Sequence, residues 1–137
     1  MAASKRSKAD SPAGLVYDSG ALIAADRDER RMWALHSRAL QRGVRPIVPA
    51  GCVVEVWREK QPNLARLLEG CEIEDLGTVA AKRSGQMRRG VSKAVGPIDA
   101  TVAESAVRRV GAVVTSDRSD IEELLSAARQ RRQIIDI

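Results

Sequence analysis

Short apolar runs alternate along this chain with longer amphipathic stretches. Leu15, Val16 and Tyr17 form the first run and end at Asp18, which predicts a buried strand. Ser19 and Gly20 then turn the chain into a short helix over residues 21–25. Over residues 27–42, Met32, Leu35, Ala39 and Leu40 recur at the spacing of one helical face, and Gly43 is placed to end that helix. Ile47 and Val48, between Pro46 and Pro49, make a minimal second strand. Residues 52–57 are ambiguous. Their valines favour a strand by propensity, whereas the turn signals on either side suit a short helix.

Residues 63–68 read as a helix stopped by Gly70. Residues 71–76 alternate apolar and acidic side chains, as an exposed edge strand does. Residues 78–91 form a polar, basic helix interrupted by Gly85. The clearest helix covers residues 98–110 and is closed by Gly111. Ala112, Val113, Val114 and Thr115 are a fully apolar strand followed by Ser116 and Asp117. Ser119 and Glu122 have the spacing of a capping box opening a helix over residues 120–129. Residues 133–137 supply a last strand.

Strands and helices therefore alternate from residue 15 to residue 137, the signature of βαβ units wound into a parallel α/β sheet. No repeat or low-complexity tract divides this stretch, so residues 15–137 are read as one domain, a size that can bury roughly two thirds of its unfolded surface. Residues 1–14 are polar and basic without an apolar stretch. They are read as a disordered basic tail, not a signal peptide. No apolar run is long enough to span a bilayer, and the expected location is the cytoplasm.

Composition narrows the chemistry. The only aromatics are Tyr17, Trp33 and Trp57, so the core must come from Leu, Ile, Val and Ala. A stacking platform for single-stranded nucleic acid would need several exposed rings. The net charge of +5, from 23 basic and 18 acidic residues, suits either an anionic partner or a merely soluble basic protein. With two distant cysteines, Cys52 and Cys71, and one histidine, His36, a structural zinc site lacks its ligands. His36 lies in an Arg-rich amphipathic stretch and is expected on a helix surface, not in a nucleophile pair. The cysteines read as small apolar residues in a reducing compartment.

The acids carry the candidate chemistry. Two apolar strands end in aspartate, at Asp18 and at Asp117. In an open parallel sheet, ligands bind outside the carboxyl ends of the strands, where the strand order switches. Either aspartate alone reads as a helix cap; the pair points to a shared crevice. Asp99 extends the apolar stripe of Ala103, Ala106 and Val110 at the start of its helix, where a carboxylate needs a partner or serves the helix dipole. Glu55 interrupts an otherwise apolar run and is either solvated or functional. Asp120 lies in the first turn of a helix, where acids are ordinary. Carboxylates ~4 Å apart repel by about 4 kcal/mol per pair at an effective dielectric near ~20. Cations relieve that repulsion, and an all-oxygen ligand set suits Mg²⁺ or Mn²⁺.

The order of these elements and acids resembles the PIN-domain family. In that family an aspartate followed by Ser or Thr ends the first strand, a glutamate lies in the third helix, an Asp-Ala-x-x-Ala pattern opens the helix before the fourth strand, and that strand ends in Thr-x-Asp. The matching residues here are Asp18-Ser19, Glu55, Asp99-Ala100-Thr101-Val102-Ala103, and Thr115-Ser116-Asp117 with Asp120. The resemblance covers residues 15–137, and the short length is similar to the VapC-type toxin branch. It implies a three-layer fold with a parallel sheet of about five strands in the order 3-2-1-4-5, and a helix at residues 52–57. Asp18, Glu55, Asp99 and Asp117 become metal ligands, Asp120 a fifth ligand or an outer residue, and Ser19 and Thr115 supporting hydrogen-bond partners. The implied activity is Mg²⁺-dependent endonucleolytic cleavage of RNA by a metal-activated water. Ile121 departs from the family pattern, where many relatives carry Phe, as does the longer basic tail.

Implied partners are RNA, a cognate VapB-like antitoxin and a second copy of the chain, with operator DNA left to the antitoxin. Lys82, Gln86, Arg89 and Lys93 share a face of the basic helix, with Arg83 and Arg88 beside it; with Arg118 they are candidate phosphate contacts. Each is otherwise a solvated charge. The antitoxin's C-terminal segment is expected in a groove near the site, where Trp33 and Trp57 either line it or belong to the core. The alternative function is a non-catalytic PIN-like module that binds RNA or protein. A HAD-type phosphotransferase is disfavoured by Gly20, where a second aspartate would stand, and no P-loop is present.

Overall fold

The computed structural model describes residues 14–92 and 94–137. The expected tail, apart from Gly14, and Lys93 lie outside the described residues. Five strands, β1 (Leu15–Tyr17), β2 (Ile47–Pro49), β3 (Glu72–Glu74), β4 (Ala112–Thr115) and β5 (Ile134–Asp136), form one sheet in the order 3-2-1-4-5. Every pairing is parallel. Between them run α1 (Ser19–Asp26), α2 (Arg30–Gln41), α3 (Ala50–Val56), α4 (Pro62–Glu69), α5 (Thr78–Arg89), α6 (Pro97–Arg109) and α7 (Arg118–Ala127). This is the PIN-like α/β architecture.

Val16 and Tyr17, consecutive residues that point to opposite faces of the sheet, are both fully buried. Helices therefore cover both faces of the central strand, and the near-continuous apolar runs of β1 and β4 follow from that. On one side α1 packs with α2, α3 and α4; on the other α6 packs with α5 and α7. Among the described residues no helix is long and apolar enough to cross a membrane.

The valine-rich segment resolves as the helix α3. Pro49 stands at its N-cap, and spacing of four buries Cys52 and Val56 together while Val54 is 77% exposed. Burial of an apolar side chain is worth about 1.5–3 kcal/mol. The helical penalty of a valine is less than about 1 kcal/mol, so tertiary burial outweighs propensity.

Three local expectations are corrected. His36 is buried, not superficial. Its Nδ1 and the Tyr17 hydroxyl are hydrogen-bonded at 2.8 Å, and the Trp33 ring packs edge-on to it. The amphipathic pattern assigned His36 to the polar side because a histidine with one buried partner looks like a polar residue in sequence. The helix α7 starts earlier than residue 120: its N-cap is Asp117, not Ser119, and Glu122 pairs with Arg118 at 3.3 Å. The left-handed residue that ends α6 is Val110, φ 53°, not Gly111, which closes the turn through its amide, bonded to the Ala106 carbonyl at 2.9 Å.

A β-branched residue in that region is strained, and Val110 is largely exposed, so its side chain offsets little of the cost. Val110→Gly is expected to raise the unfolding free energy by about 1 kcal/mol, read from denaturant titration.

Candidate metal centre

Parallel pairing of β1 with β4, Tyr17 opposite Val114, brings Asp18 and Asp117 out at the same end of the sheet. Asp18 caps α1: its Oδ1 accepts from the Ala21 amide at 2.9 Å. Asp117 stands at the N-cap position of α7 but its side chain makes no capping hydrogen bond. The capping explanation thus accounts for one aspartate and not for the other.

Thr115 links the two strand ends. Its hydroxyl accepts from the Asp117 amide at 2.8 Å and donates to the Asp18 carboxylate. Oxygen atoms of Asp99, Asp117 and Asp120 all lie within 4.8 Å of one another. Glu55, in the last turn of α3, is exposed and accepts from the Ser19 hydroxyl at 2.5 Å.

The electrostatics tie all five acids together. Burial raises the Asp99 carboxyl to about 6, and the charges of Asp120, Asp18, Asp117 and Glu55 push it in the same direction. Asp18 is raised chiefly by burial and also by Asp117, against the hydrogen bonds from Thr115, Ala21 and Gly20. Cys52, buried beneath them, is pushed up to about 12 by burial and by the charges of Asp18, Glu55 and Asp99. It remains a neutral thiol, in keeping with its reading as a small apolar residue.

Two contacts that the sequence pattern did not single out set this geometry. A Cβ on Gly20 would stand 1.9 Å from Ser116 Oγ and 2.8 Å from its Cβ. The turns after β1 and β4 therefore approach as they do because position 20 has no side chain. A Cβ on Gly51 would stand 2.5 Å from Ile98 Cδ1, so α3, which bears Glu55, lies directly on the first turn of α6, which bears Asp99.

The basic candidates are more dispersed. Lys82, Arg83 and Arg89 are exposed on α5. Arg83 borders a shallow recess shared with Glu74, Asp75 and Arg108. Arg89 precedes Gly90, which packs on Ala127 at the end of α7 remote from Asp120. Arg118 pairs with Asp136 at 2.9 Å and with Glu122. Trp33 is half-buried and donates to the Ala25 carbonyl at 3.1 Å, while Trp57 is 40% exposed at the end of α3.

The donor set fits a hard divalent cation. It is all carboxylate, converges on one crevice, and includes a group whose charged form is unfavourable until positive charge arrives. Fold and crevice together define a PIN-like α/β protein with an acidic centre at the carboxyl end of its sheet. Solved structures share that fold. A chain of DNA-bound VapBC from Salmonella typhimurium superposes with a TM-score of 0.68 at 20% identity, over 90% of this chain and 97% of that one. VapBC2 from Rickettsia felis, bound to a promoter DNA fragment, gives 0.67 at 14% identity, over 89% and 96%. FitAcB from Neisseria gonorrhoeae gives 0.60 at 17% identity, over 89% and 96%. No protein-family model and no curated protein matches the sequence. At these identities the likeness is one of fold.

The raised Asp99 carboxyl yields a sign for stability. A carboxyl whose folded pKa of about 6 exceeds its unfolded value near ~3.9 favours the folded state when protonated. Its destabilising charge is fully expressed above pH ~6 and relieved as pH falls toward ~4. Chelator-treated Asp99→Asn is therefore expected to melt a few degrees above the parent at pH 7.5, with the gap shrinking by pH 4.5. The burial-lowered His36, which loses its contribution as pH falls below ~6.5, is common to both proteins and cancels in the difference. An unchanged gap across that range would contradict the coupling.

Proposed function

We propose that this chain is a PIN-domain, metal-dependent endoribonuclease and the toxin half of a toxin–antitoxin pair. The observation that carries the reading is the convergence of Asp99, Asp117 and Asp120, together with Asp18 and Glu55, at the carboxyl ends of β1 and β4. The shared fold with VapBC and FitAcB chains supports the toxin assignment.

On this reading Asp18, Glu55, Asp99 and Asp117 hold Mg²⁺ or Mn²⁺, with Asp120 as a fifth ligand or an outer partner. The bound cation supplies a water activated for attack on the phosphodiester and offsets charge on the leaving oxygen. The chain's own part is positioning. Ser19 orients Glu55 through its hydroxyl, and Thr115 holds Asp18 and the Asp117 backbone in one hydrogen-bonded unit. Lys82, Arg83, Arg89, Lys93 and Arg118 are the proposed phosphate contacts. Arg118 must give up its carboxylate partners to serve in that way. The proposed partners are an RNA substrate, a VapB-like antitoxin and a second copy of the chain, with no direct contact to operator DNA.

Purified protein is expected to cleave RNA internally with Mg²⁺ and to stop on chelation. Asp99→Asn should lower cleavage by ~100-fold or more, and Thr115→Val by ~10–100-fold, with circular dichroism unchanged. Magnesium-independent cleavage, or full activity in Asp99→Asn, would reject the site. RNA binding without cleavage would favour the non-catalytic reading.

A further inference from the structure

The two edges of the sheet are not equivalent. At β3, Glu74 is bound by Arg108 and Arg109, and Glu72 by Arg109 at 3.4 Å, so acids and bases are mutually satisfied. At β5 they are not. The carbonyl of Gln133 and the amide of Ile137 bond to β4, at 2.9 and 3.0 Å. By the alternation of the ladder, the amides and carbonyls of Ile134 and Asp136 face away from the sheet. Arg118 confirms the direction: its Nη2 reaches the Ile134 carbonyl at 2.8 Å from outside.

A recess flanks this edge on each side. One, of about 380 Å³, has Leu15, Leu35, Val44 and Ile135 among its walls, with Arg38 and Arg42 beside them. The other, of about 510 Å³, has Leu125 and Ile134 with Arg129 and Arg131; its one acid, Glu122, is paired with Arg118. Arg132 also borders it but is committed to the carbonyls of Ala106 and Val107, at 3.1 and 2.9 Å. The guanidinium groups of Arg38, Arg42, Arg129 and Arg131 make no ion pair among the described residues.

We propose that the β5 edge is a docking site for an extended, acidic–apolar segment of a partner protein, which adds to the sheet as a sixth strand. Successive side chains of such a segment point to opposite faces and so enter the two recesses alternately. Apolar residues fill the walls, and carboxylates meet the four uncommitted arginines. The segment's backbone takes over the Ile134 carbonyl from Arg118 and pairs the outward groups of Asp136. Nucleic acid would satisfy the arginines but would leave both the apolar walls and the strand edge unused. The β3 edge of a second copy cannot supply the acids, because Glu72 and Glu74 are already held by Arg108 and Arg109. The site involves none of the acids of the metal centre and stands whether or not the chain is a nuclease.

The test uses the full chain and an acetylated heptapeptide, Glu-Glu-Val-Ile-Val-Glu-Glu, followed by amide chemical shifts and fluorescence anisotropy. Saturable binding is expected, with the largest shifts at residues 133–137. Arg38→Glu with Arg42→Glu should weaken it at least tenfold; Arg129→Glu with Arg131→Glu, on the other face, is the second variant should the first not fold. A peptide N-methylated at alternate residues should also lose at least tenfold. No saturable binding at millimolar peptide overturns the proposal. So do equal binding of Lys-Lys-Val-Ile-Val-Lys-Lys, shifts centred elsewhere, or concentration-dependent self-association through residues 133–137 in place of peptide binding.

Discussion

Leu15 pairs with Ala112, Val16 with Val113 and Tyr17 with Val114, and that short parallel ladder is the joint on which the molecule turns. The strands are far apart in sequence, and neither is long enough to hold its place unaided. Burial of Val16, Tyr17, Val113 and Val114 on both faces holds the register. A slip of one residue would exchange the faces of every side chain and carry Asp18 away from Asp117. The acidic centre is thus a by-product of hydrophobic packing: apolar burial places the carboxylates together, against their own repulsion.

That opposition between packing and charge organises the crevice. Asp18 and Asp99 are forced into surroundings that disfavour their charged forms, and both carboxyls rise. Asp117 takes an N-cap position without spending its side chain on the cap. Thr115 and Ser19 share out the few donors present. The local structure gives up stability to keep acids adjacent, as functional centres do. Protonation relieves the conflict, and on the proposed function a bound cation would relieve it as well.

The opposite solution is found away from the crevice. Around β3 and the end of α6, Glu72, Glu74 and Glu104 are matched by Arg108 and Arg109, and Glu74 is held down at about 2. These carboxylates are neutralised by arginines, whereas Asp99 and Asp18 are pushed upward by burial and by neighbouring acids.

Much of the fold could be read from order and periodicity alone. The alternation of apolar runs with amphipathic stretches specifies a parallel sheet, because only buried strands tolerate runs such as Val113-Val114, and the resemblance in the spacing of the acids supplied the strand order. Asp18 and Asp117 were legible because each ends such a strand. What sequence could not decide was anything depending on a distant neighbour. Residues 52–57 became helix because the burial of Cys52 and Val56 outweighs valine's preference for strands. His36 went inside because Tyr17 offers it a hydroxyl. Gly20 and Gly51 matter through Ser116 and Ile98, contacts that no local pattern records. Local chemistry set which elements form; long-range packing set which side chains meet, since the energy of a contact belongs to both partners and only one of them is visible at a time along the chain.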